Sequence, residues 1–383
     1  MMKTARIGGG GIAGMAAAGA LAAEGWDVHV YESRTAITDE GGAIVLFENM
    51  HRALERLGAL DGAIANGDPK TRFSYRDHAN RPHVASNANP MGGRYVYASR
   101  HEVHRALMDA AVSRGVTVHL GTRAVAADPD GSLTLDSGAE VRGDLVVAAD
   151  GVGSALRDHD TIRPTVAWLG HYGIRVGIDA ELSVAQPGEF WELWNGPLRL
   201  GFGRLGGRKS AAYLSAPIDG FTADASSMDV DVWLRSFPDQ REVVEAIAEQ
   251  VPSVAPFSKV TCDRWQAGRL AVIGDAAHGM PPHRGQGAAM AVLDAVHLGA
   301  VLGREGVRFG GTGLQSGSDV SRALEAWESE VRPIVDRTQR VAVSFCRMQD
   351  SWPQAAINAR PWAFRRLIRR RALDLSLLPP VAA

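Results

Sequence analysis

Three glycines in the segment GGGIAG, at Gly9, Gly11 and Gly14, have the spacing of a phosphate-binding turn between a strand and a helix. The first permits a tight turn, the second lets the backbone approach a pyrophosphate, and the third lets helix and strand pack closely. The helix that follows offers unpaired N–H groups and the positive end of its dipole to phosphate. Glu32 ends the next predicted strand, where its carboxylate can accept hydrogen bonds from ribose hydroxyls. The pattern predicts a dinucleotide site; a glycine-rich turn of some other α/β protein is the alternative.

A second acidic residue, much later in the chain, also stands at the end of a predicted strand. Asp275 follows the apolar run LAVIG, and the turn Pro282-x-x-Gly285-Gln286-Gly287 precedes a predicted helix. The long separation along the sequence from the first motif suggests that this second motif binds the other half of a long dinucleotide. In FAD, Asp275 would then lie at the ribityl hydroxyls. The helix N-terminus would then face the N1–C2=O edge of the flavin, where it stabilises negative charge on the reduced ring.

A third strand end carries Asp150-Gly151, after the buried-looking run LVVAA. Ends of parallel strands meet at one edge of a doubly wound sheet, and ligands bind there. We therefore expect the glycine turn, Asp150 and Asp275 to converge on one cofactor.

Composition sets limits on the kind of protein. The chain has 383 residues, 45% hydrophobic and 22% charged, with a formal net charge of −2. This balance is typical of a soluble enzyme and indicates neither nucleic acid nor an acidic surface as a partner. No apolar run reaches the roughly 18 residues of a membrane span. Two distant cysteines fit no disulfide framework, which suits the cytoplasm. We expect no metal, because His101-x-x-His104 has no visible third ligand.

The predicted fold class is α/β: a Rossmann-type FAD-binding domain with an inserted antiparallel-sheet substrate domain and C-terminal helices. The FAD-binding domain is expected to be discontinuous, over residues 1–70, 96–160 and 260–310. Residues 71–95 and 161–259 would form the substrate domain, and residues 311–383 a C-terminal helical segment. Helices are predicted at about 229–250, 288–302, 320–350 and 361–374, the last of them rich in arginine.

Taken together, these motifs resemble the class A FAD-dependent aromatic hydroxylases, which share the para-hydroxybenzoate hydroxylase fold. The resemblance rests on GGGIAG, Glu32, Arg100 in SRHEVHRAL, ADGVGSALR and GDAAHGMPPHRGQGAAMAVLDA, and it spans residues 5 to about 300. The layout is most similar to members that act on a hydroxypyridine ring. The resemblance implies the following cofactor-binding residues: Gly9, Gly11, Ile12, Ala13, Gly14, Glu32, Arg34, Gly42, Arg100, Val125, Asp150, Asp275, Gly285, Gln286, Gly287 and Ala288.

The resemblance also implies a reaction. NADH or NADPH would reduce FAD, O2 would give a flavin C4a-hydroperoxide, and one oxygen would pass to an electron-rich aromatic or heteroaromatic ring. Oxygenative ring opening, epoxidation or dehydrogenation on the same fold is the alternative, and a non-catalytic flavin-binding module is a further one.

We expect a monomer or homodimer without an integral membrane segment.

Five residues are candidates for the chemistry itself. His283, beside Pro282 in the turn that faces the flavin, could accept or relay a proton from a ring hydroxyl; a structural role in the turn is the alternative. Arg199 and Tyr213 would bind the substrate, with the arginine bidentate to a carboxylate, unless Arg199 is a solvent-facing strand residue. Tyr75 is the candidate on the other side, or a core aromatic.

Overall fold

The computed structural model describes residues 3–37, 42–77, 79–86, 93–222, 226–250, 254–308 and 317–351. Its strands are β1 Thr4–Gly8, β2 Asp27–Glu32, β3 Ala43–Phe47, β4 Asp68–Pro69, β5 Arg72–Asp77, β6 Pro82–Ser86, β7 Tyr95–Ser99, β8 Thr117–Leu120, β9 Ala124–Ala127, β10 Ser132–Leu135, β11 Glu140–Arg142, β12 Leu145–Ala148, β13 Pro164–Ile178, β14 Glu189–Asn195, β15 Leu198–Arg204, β16 Ser210–Ala216, β17 Val254–Cys262, β18 Gln266–Ala267 and β19 Leu270–Val272. Its α-helices are α1 Ile12–Ala23, α2 Glu48–Arg56, α3 Leu60–Ile64, α4 Arg100–Val112, α5 Val230–Ser236, α6 Arg241–Ala248, α7 Asp275–His278, α8 Gly287–Arg308 and α9 Gly317–Ser351.

A six-stranded sheet with the order β18-β19-β12-β1-β2-β8 forms the first core. Its strands run parallel except at the β18–β19 edge. All four residues of β12 are buried, as a central strand covered on both faces requires. The Ala-rich helix α1 packs between this sheet and α8. The parallel order places the ends of β1, β2, β12 and β19 at one edge, as the sequence predicted.

A seven-stranded sheet with the order β17-β13-β16-β15-β14-β5-β6 forms the second core. It is antiparallel except where β14 pairs with β5, so the expected antiparallel sheet contains one parallel pair. The strands β3, β7 and β4 form a small sheet that joins the two cores, and β9, β10 and β11 form another. The fold class is confirmed, whereas the residue limits of the two domains stay a prediction.

Three predicted helices differ in the structure. The helix expected at about 229–250 is wrong as one element: it is divided into α5, a 3-10 turn at Pro238–Gln240, and α6. Pro238 lacks an N–H and disfavours helical backbone in the residue before it, which explains the break. The helix predicted at 288–302 extends to Arg308 as α8, and α9 covers the one predicted at 320–350. The arginine-rich helix at 361–374 lies outside the described residues.

One helix among the described residues, at Gly287–Glu305, is long and apolar enough to cross a membrane by composition. However, 72% of its most apolar stretch is buried within the protein. It packs against α1, where the Gly299 Cα approaches the Ala20 backbone so closely that an added Cβ would lie 3.0 Å from the Ala20 oxygen. This is the behaviour of a core helix.

Candidate active site

The glycine turn leaves β1 and begins α1. Gly9 has φ +102°, in the region that favours glycine, and its N–H donates to the Tyr31 oxygen at 2.9 Å. A Cβ on Gly14 would lie 1.9 Å from the Gly9 oxygen, so this glycine is needed for the close turn. Gly11 is the N-cap of α1 and has no atom within 4 Å of an added Cβ. Ile12 and Ala13 follow it as the first helical residues. The backbone beside Gly11 is therefore open to a ligand.

Glu32 lies at the end of β2, as predicted, and holds the glycine turn. Its Oε2 accepts from the Gly10 N–H at 2.7 Å, and its Oε1 accepts from the Arg34 N–H at 2.9 Å. A carboxylate has about four acceptor positions, so lone pairs remain for ribose hydroxyls. His104 on α4, which the sequence did not favour as a metal ligand, contacts the Gly10 oxygen through Nε2 at 2.6 Å.

Asp150 follows β12 and lies beside the glycine turn: its Cα is 2.9 Å from where a Gly9 Cβ would be. Its Oδ2 accepts from the Ala155 N–H at 2.9 Å. Its Oδ1 is buried and has no hydrogen-bond partner within the described chain, which suits a donor on a bound ligand. Val125 on β9 lines an outer groove with Ser154 and other residues of the same loop.

A cluster of charges surrounds Asp275, the first residue of α7. Burial lowers the pKa of the Arg100 guanidinium, and the nearby Asp275 carboxylate opposes this effect. Enclosure by the protein, with the Arg100 charge, likewise lowers the pKa of Arg175 on β13, a residue that the sequence did not suggest. Arg34 also lies within electrostatic reach of Arg100. The Arg100 N–H donates to the Gly42 oxygen at 3.0 Å. These cations suit the phosphates of a dinucleotide.

The turn before α8 carries the Pro282-x-x-Gly285-Gln286-Gly287 motif. Pro282–Arg284 form a single 3-10 turn, and Gly285, at φ +62°, ends it in the left-handed conformation. Gln286 is buried, and its Oε1 accepts from the Asn49 Nδ2 at 2.9 Å. Its Nε2 has no partner in the described part of the chain. Gly287 and Ala288 open α8, so the N-terminus of a 22-residue helix is presented here.

A buried ion pair supports the strand end that carries Asp275. Asp294 on α8 accepts from the Gly274 N–H at 3.0 Å and from Nε2 of His278. Burial alone would lower the pKa of the His278 imidazole, but the Asp294 carboxylate reverses the effect and raises it. His278 is therefore structural.

This pair predicts a pH-dependent stability. A histidine whose pKa is raised on folding contributes stability below its unfolded pKa of about 6.5, and the contribution is lost as pH rises through the folded pKa. We expect Asp294→Asn, which keeps an acceptor for Gly274, to cost more free energy of unfolding at about pH 6 than above the folded pKa. Urea denaturation at a series of pH values measures this. His278→Gln is the control, because in that background the cost of Asp294→Asn should no longer depend on pH; a cost independent of pH in both backgrounds would refute the pairing.

The turn faces a cavity of about 770 Å³, including its open mouth. Its apolar and aromatic walls come from the seven-stranded sheet and the joining sheet: Val45, Phe47, Phe73, Tyr75, Tyr95, Phe190 and Phe257. Its other lining residues include Arg175, Glu192, Arg199, Tyr213, Pro282, His283 and Arg284. The structure thus brings together the five residues predicted for substrate and catalysis: Tyr75, Arg199, Tyr213, Pro282 and His283.

Glu192 is a further residue at this site that the sequence reasoning missed. Its carboxylate accepts from Arg199 Nε at 2.8 Å and Arg199 Nη2 at 2.7 Å, from Trp194 Nε1 at 2.7 Å, and from the Tyr213 hydroxyl. The bidentate edge of Arg199, expected to bind a substrate carboxylate, is therefore occupied by the protein's own acid. Burial lowers the pKa of the guanidinium, but Glu192 outweighs burial and raises it. Arg199 Nη1 is buried with no partner among the described groups.

Three other polar groups complete the cavity. His283 is buried, and burial with the nearby Arg199 charge holds its pKa well below the usual value, so the imidazole is neutral. Burial raises the pKa of the Tyr75 phenol, as does Glu192, so this group stays protonated. Arg284 packs its guanidinium over the Phe345 ring, 5.1 Å from the centroid, and lies within electrostatic reach of Glu192. Only one weak sign of Glu192 is visible in the sequence, as an acid within the aromatic strand EFWELW.

Comparison with known proteins identifies the family. The model of the FAD-binding domain family matches residues 2–338. The chain belongs to this family. It is 32% identical over 339 residues to a putative 2-heptyl-3-hydroxy-4(1H)-quinolone synthase of Rhodococcus erythropolis, covering 88% of this chain and 85% of the relative.

Solved structures agree with this assignment. A tetrameric form of 2-methyl-3-hydroxypyridine-5-carboxylic acid oxygenase superposes with a TM-score of 0.80 at 30% identity, covering 94% of this chain and 98% of that one. A Klebsiella pneumoniae protein in complex with FAD and uric acid superposes with a TM-score of 0.83 at 25% identity, covering 98% of this chain and 97% of that one. The protein is thus an FAD-dependent monooxygenase of the aromatic hydroxylase type. The open backbone at Gly11, the unpaired Asp150 Oδ1 and the unpaired Gln286 Nε2, judged among the described residues, fit bound FAD.

Proposed function

We propose that this monooxygenase hydroxylates an uncharged aromatic or heteroaromatic ring that carries an N–H or O–H group, such as a 4(1H)-quinolone. The observation that carries the proposal is the Glu192–Arg199 pair. Because Glu192 neutralises the arginine at 2.7 Å, a second carboxylate there would meet a negative charge in a buried site. One relative is named as a synthase of a hydroxy-4(1H)-quinolone, a ring with an N–H and no carboxylate.

The residues at the edge of the first sheet would hold FAD. The main-chain N–H groups of the glycine turn would bind its pyrophosphate, Asp150 would accept from a hydroxyl donor of the cofactor beside that turn, Glu32 would bind its ribose, and Asp275 with Arg100 its ribityl region; Arg34, Gly42 and Val125 would lie at its rim. Gly285 to Ala288 would face its ring system. When bound and reduced by NADH or NADPH, FAD supplies the activation of O2.

The chain's own residues would then prepare the substrate. The neutral His283 imidazole accepts a hydrogen bond from the ring N–H or O–H and takes the proton as oxygen enters the ring, when that group becomes acidic. Arg284 stabilises the negative charge that develops on the ring oxygen. Phe73, Phe190 and Phe257 exclude water from the reacting ring. Tyr75 and Tyr213 also line the cavity as protonated phenols, and the Tyr213 hydroxyl donates to Glu192.

A matched pair of substrates tests the proposal. A 2-alkyl-4(1H)-quinolone is compared with 4-hydroxyquinoline-2-carboxylate, which has the same bicyclic ring with a carboxylate added. We expect NADH or NADPH oxidation to be stimulated by the neutral compound, with kcat/KM at least about tenfold higher, because each 1.4 kcal/mol of lost binding is about tenfold. Glu192→Gln should reduce the difference in kcat/KM between the two compounds, because it removes the negative charge that the carboxylate would meet. A preference for the carboxylate in the unchanged protein would contradict the proposal.

That outcome would favour a second candidate, hydroxylation of a carboxylated ring. Arg199 and Arg284 together face one Glu192, so the cavity keeps a net positive charge on its substrate side. One solved relative acts, by its title, on a pyridine-carboxylic acid. Arg284→Gln distinguishes the candidates, because it should abolish binding of the carboxylate and only weaken that of the quinolone.

We further propose that the protein works in the cytoplasm, on a small-molecule substrate, as a monomer or homodimer.

A further inference from the structure

Gln349, near the end of α9, reaches the active-site turn from a distant part of the chain. Its side chain is 1% exposed, and its Oε1 lies 2.5 Å from His283 Nε2. Its Nε2 contacts the Pro197 oxygen, the Ser215 oxygen at 3.2 Å and the Ser215 Oγ at 3.4 Å. One buried amide thus joins the turn before α8 to the hairpin strands of the substrate sheet.

These contacts determine which way the amide is turned. Two of the three atoms around Nε2 are main-chain carbonyl oxygens, which only accept hydrogen bonds. Turning the amide over would place Oε1 against these two carbonyl oxygens, so that acceptor would face acceptor and the hydrogen bonds from Nε2 would be lost. Gln349 therefore presents its oxygen to His283.

The orientation of the amide determines where His283 carries its proton. An oxygen accepts, so His283 Nε2 must donate and must bear the hydrogen. The imidazole is neutral, as burial lowers its pKa, so Nδ1 then carries the lone pair. Nδ1 is buried and has no partner within the described residues, although His283 lines the substrate cavity.

We propose that Gln349 is a positioning residue that holds His283 as the Nε2–H tautomer, so that Nδ1 accepts the hydrogen bond from the substrate ring. This inference rests on the proposed function for its catalytic meaning, but the tautomer itself does not depend on any substrate. The other tautomer would point an N–H where the substrate needs an acceptor.

Charged and titratable neighbours surround the imidazole on every side. Arg199 approaches from β15 and His171 from β13, and both lower its pKa. Cys346 of α9 lies 3.9 Å from His171 Nδ1. Arg284 follows in the same turn, and the Phe257 ring meets the imidazole edge-on at 5.7 Å. Burial and the Arg199 charge disfavour protonation of the imidazole, so the lone pair on its second nitrogen is preserved.

The first test is nitrogen-15 NMR of the imidazoles in the FAD-loaded protein, with the His283 signals assigned by their loss in His283→Asn. We expect a protonated-type Nε2 signal and an unprotonated-type Nδ1 signal at pH values on both sides of about 6.5. In Gln349→Met, the His283 Nε2 and Nδ1 signals should broaden or shift toward each other, because both tautomers become populated. Gln339→Met is the matched control: Gln339 is another buried glutamine of α9, and its Nε2 bonds the Val260 and His278 oxygens rather than His283. It should leave the His283 signals unchanged.

The second test is a kinetic cycle with the best substrate found. Gln349→Met should lower kcat/KM by at least about tenfold, equivalent to about 1.4 kcal/mol. In the His283→Asn background the same change should matter less than about twofold, because coupled residues are not additive. An Nδ1–H tautomer in the unchanged protein, an unchanged tautomer in Gln349→Met, or additive losses would overturn the inference. If no ring compound is turned over, the proposed function fails while the NMR result still decides the tautomer.

Discussion

Glu192→Ala is expected to lower the free energy of unfolding by about 3–5 kcal/mol, the range measured when one partner of a buried ion pair is removed. Glu192 and Arg199 have 5% exposed side chains and share two hydrogen bonds. Without the carboxylate, the arginine charge stays buried, and Trp194 Nε1 and the Tyr213 hydroxyl lose their acceptor as well. Chemical denaturation of the FAD-loaded protein measures the effect.

Two controls separate charge burial from loss of contacts. Glu245→Ala removes an acid from the exposed Arg241–Glu245 pair and should cost less than about 1 kcal/mol. Arg199→Met combined with Glu192→Leu removes both charges and should restore stability relative to Glu192→Ala, because apolar residues can replace a buried pair. A cost below about 1 kcal/mol for Glu192→Ala would show that the carboxylate is not holding a buried charge.

Substitutions in the glycine turn are expected to separate folding from cofactor binding. Gly14→Ala places a Cβ 1.9 Å from the Gly9 oxygen, so the turn must shift, at a cost of about 1–3 kcal/mol or more, and FAD should be lost. Gly11→Ala meets no protein atom within 4 Å, and its φ of −71° suits alanine. The apoprotein should therefore keep its stability within about 0.5 kcal/mol, yet FAD should be lost because the methyl fills the pyrophosphate position.

Absorbance of the purified variants and urea denaturation of the apoproteins measure the two effects. Gly19→Ala is the matched control in the same helix: its added Cβ would have only ordinary contacts, 3.8 Å from Leu57 and Ala111. It should keep both FAD and stability. A fully yellow Gly11→Ala protein would exclude the pyrophosphate from this position.

The convergence of the glycine turn and the strand ends could be predicted because its signals are local. The tight turn at Gly9, the strand end at Glu32 and the helix start at Gly287 each depend on a few consecutive residues, and parallel pairing then brings the strand ends together. Elsewhere in the chain, the helix predicted at about 229–250 was wrong as one element because Pro238 interrupts the helical spacing.

The substrate half depends on pairing that sequence spacing does not reveal. Glu192 meets Arg199 because β14 and β15 pair with Trp194 opposite Arg199, which places both side chains on one face. Gln349 meets His283 across 66 residues. No sequence motif marks either contact. A buried polar group needs a hydrogen-bond partner, but many different residues can supply it, so the sequence does not show which one does. Arg199 was thus correctly located near the cavity, but its carboxylate partner was expected to be the substrate.

The central claim is that this chain inserts one atom of O2 into an uncharged ring. The most direct measurement is a reaction with ¹⁸O₂, NADH or NADPH, and a 2-alkyl-4(1H)-quinolone, followed by mass spectrometry of the product. The account predicts a hydroxylated quinolone that contains one ¹⁸O atom, and no product with Gly11→Ala. Oxidation of the nicotinamide with no oxygen in the quinolone, or with oxygen derived from water, would contradict it.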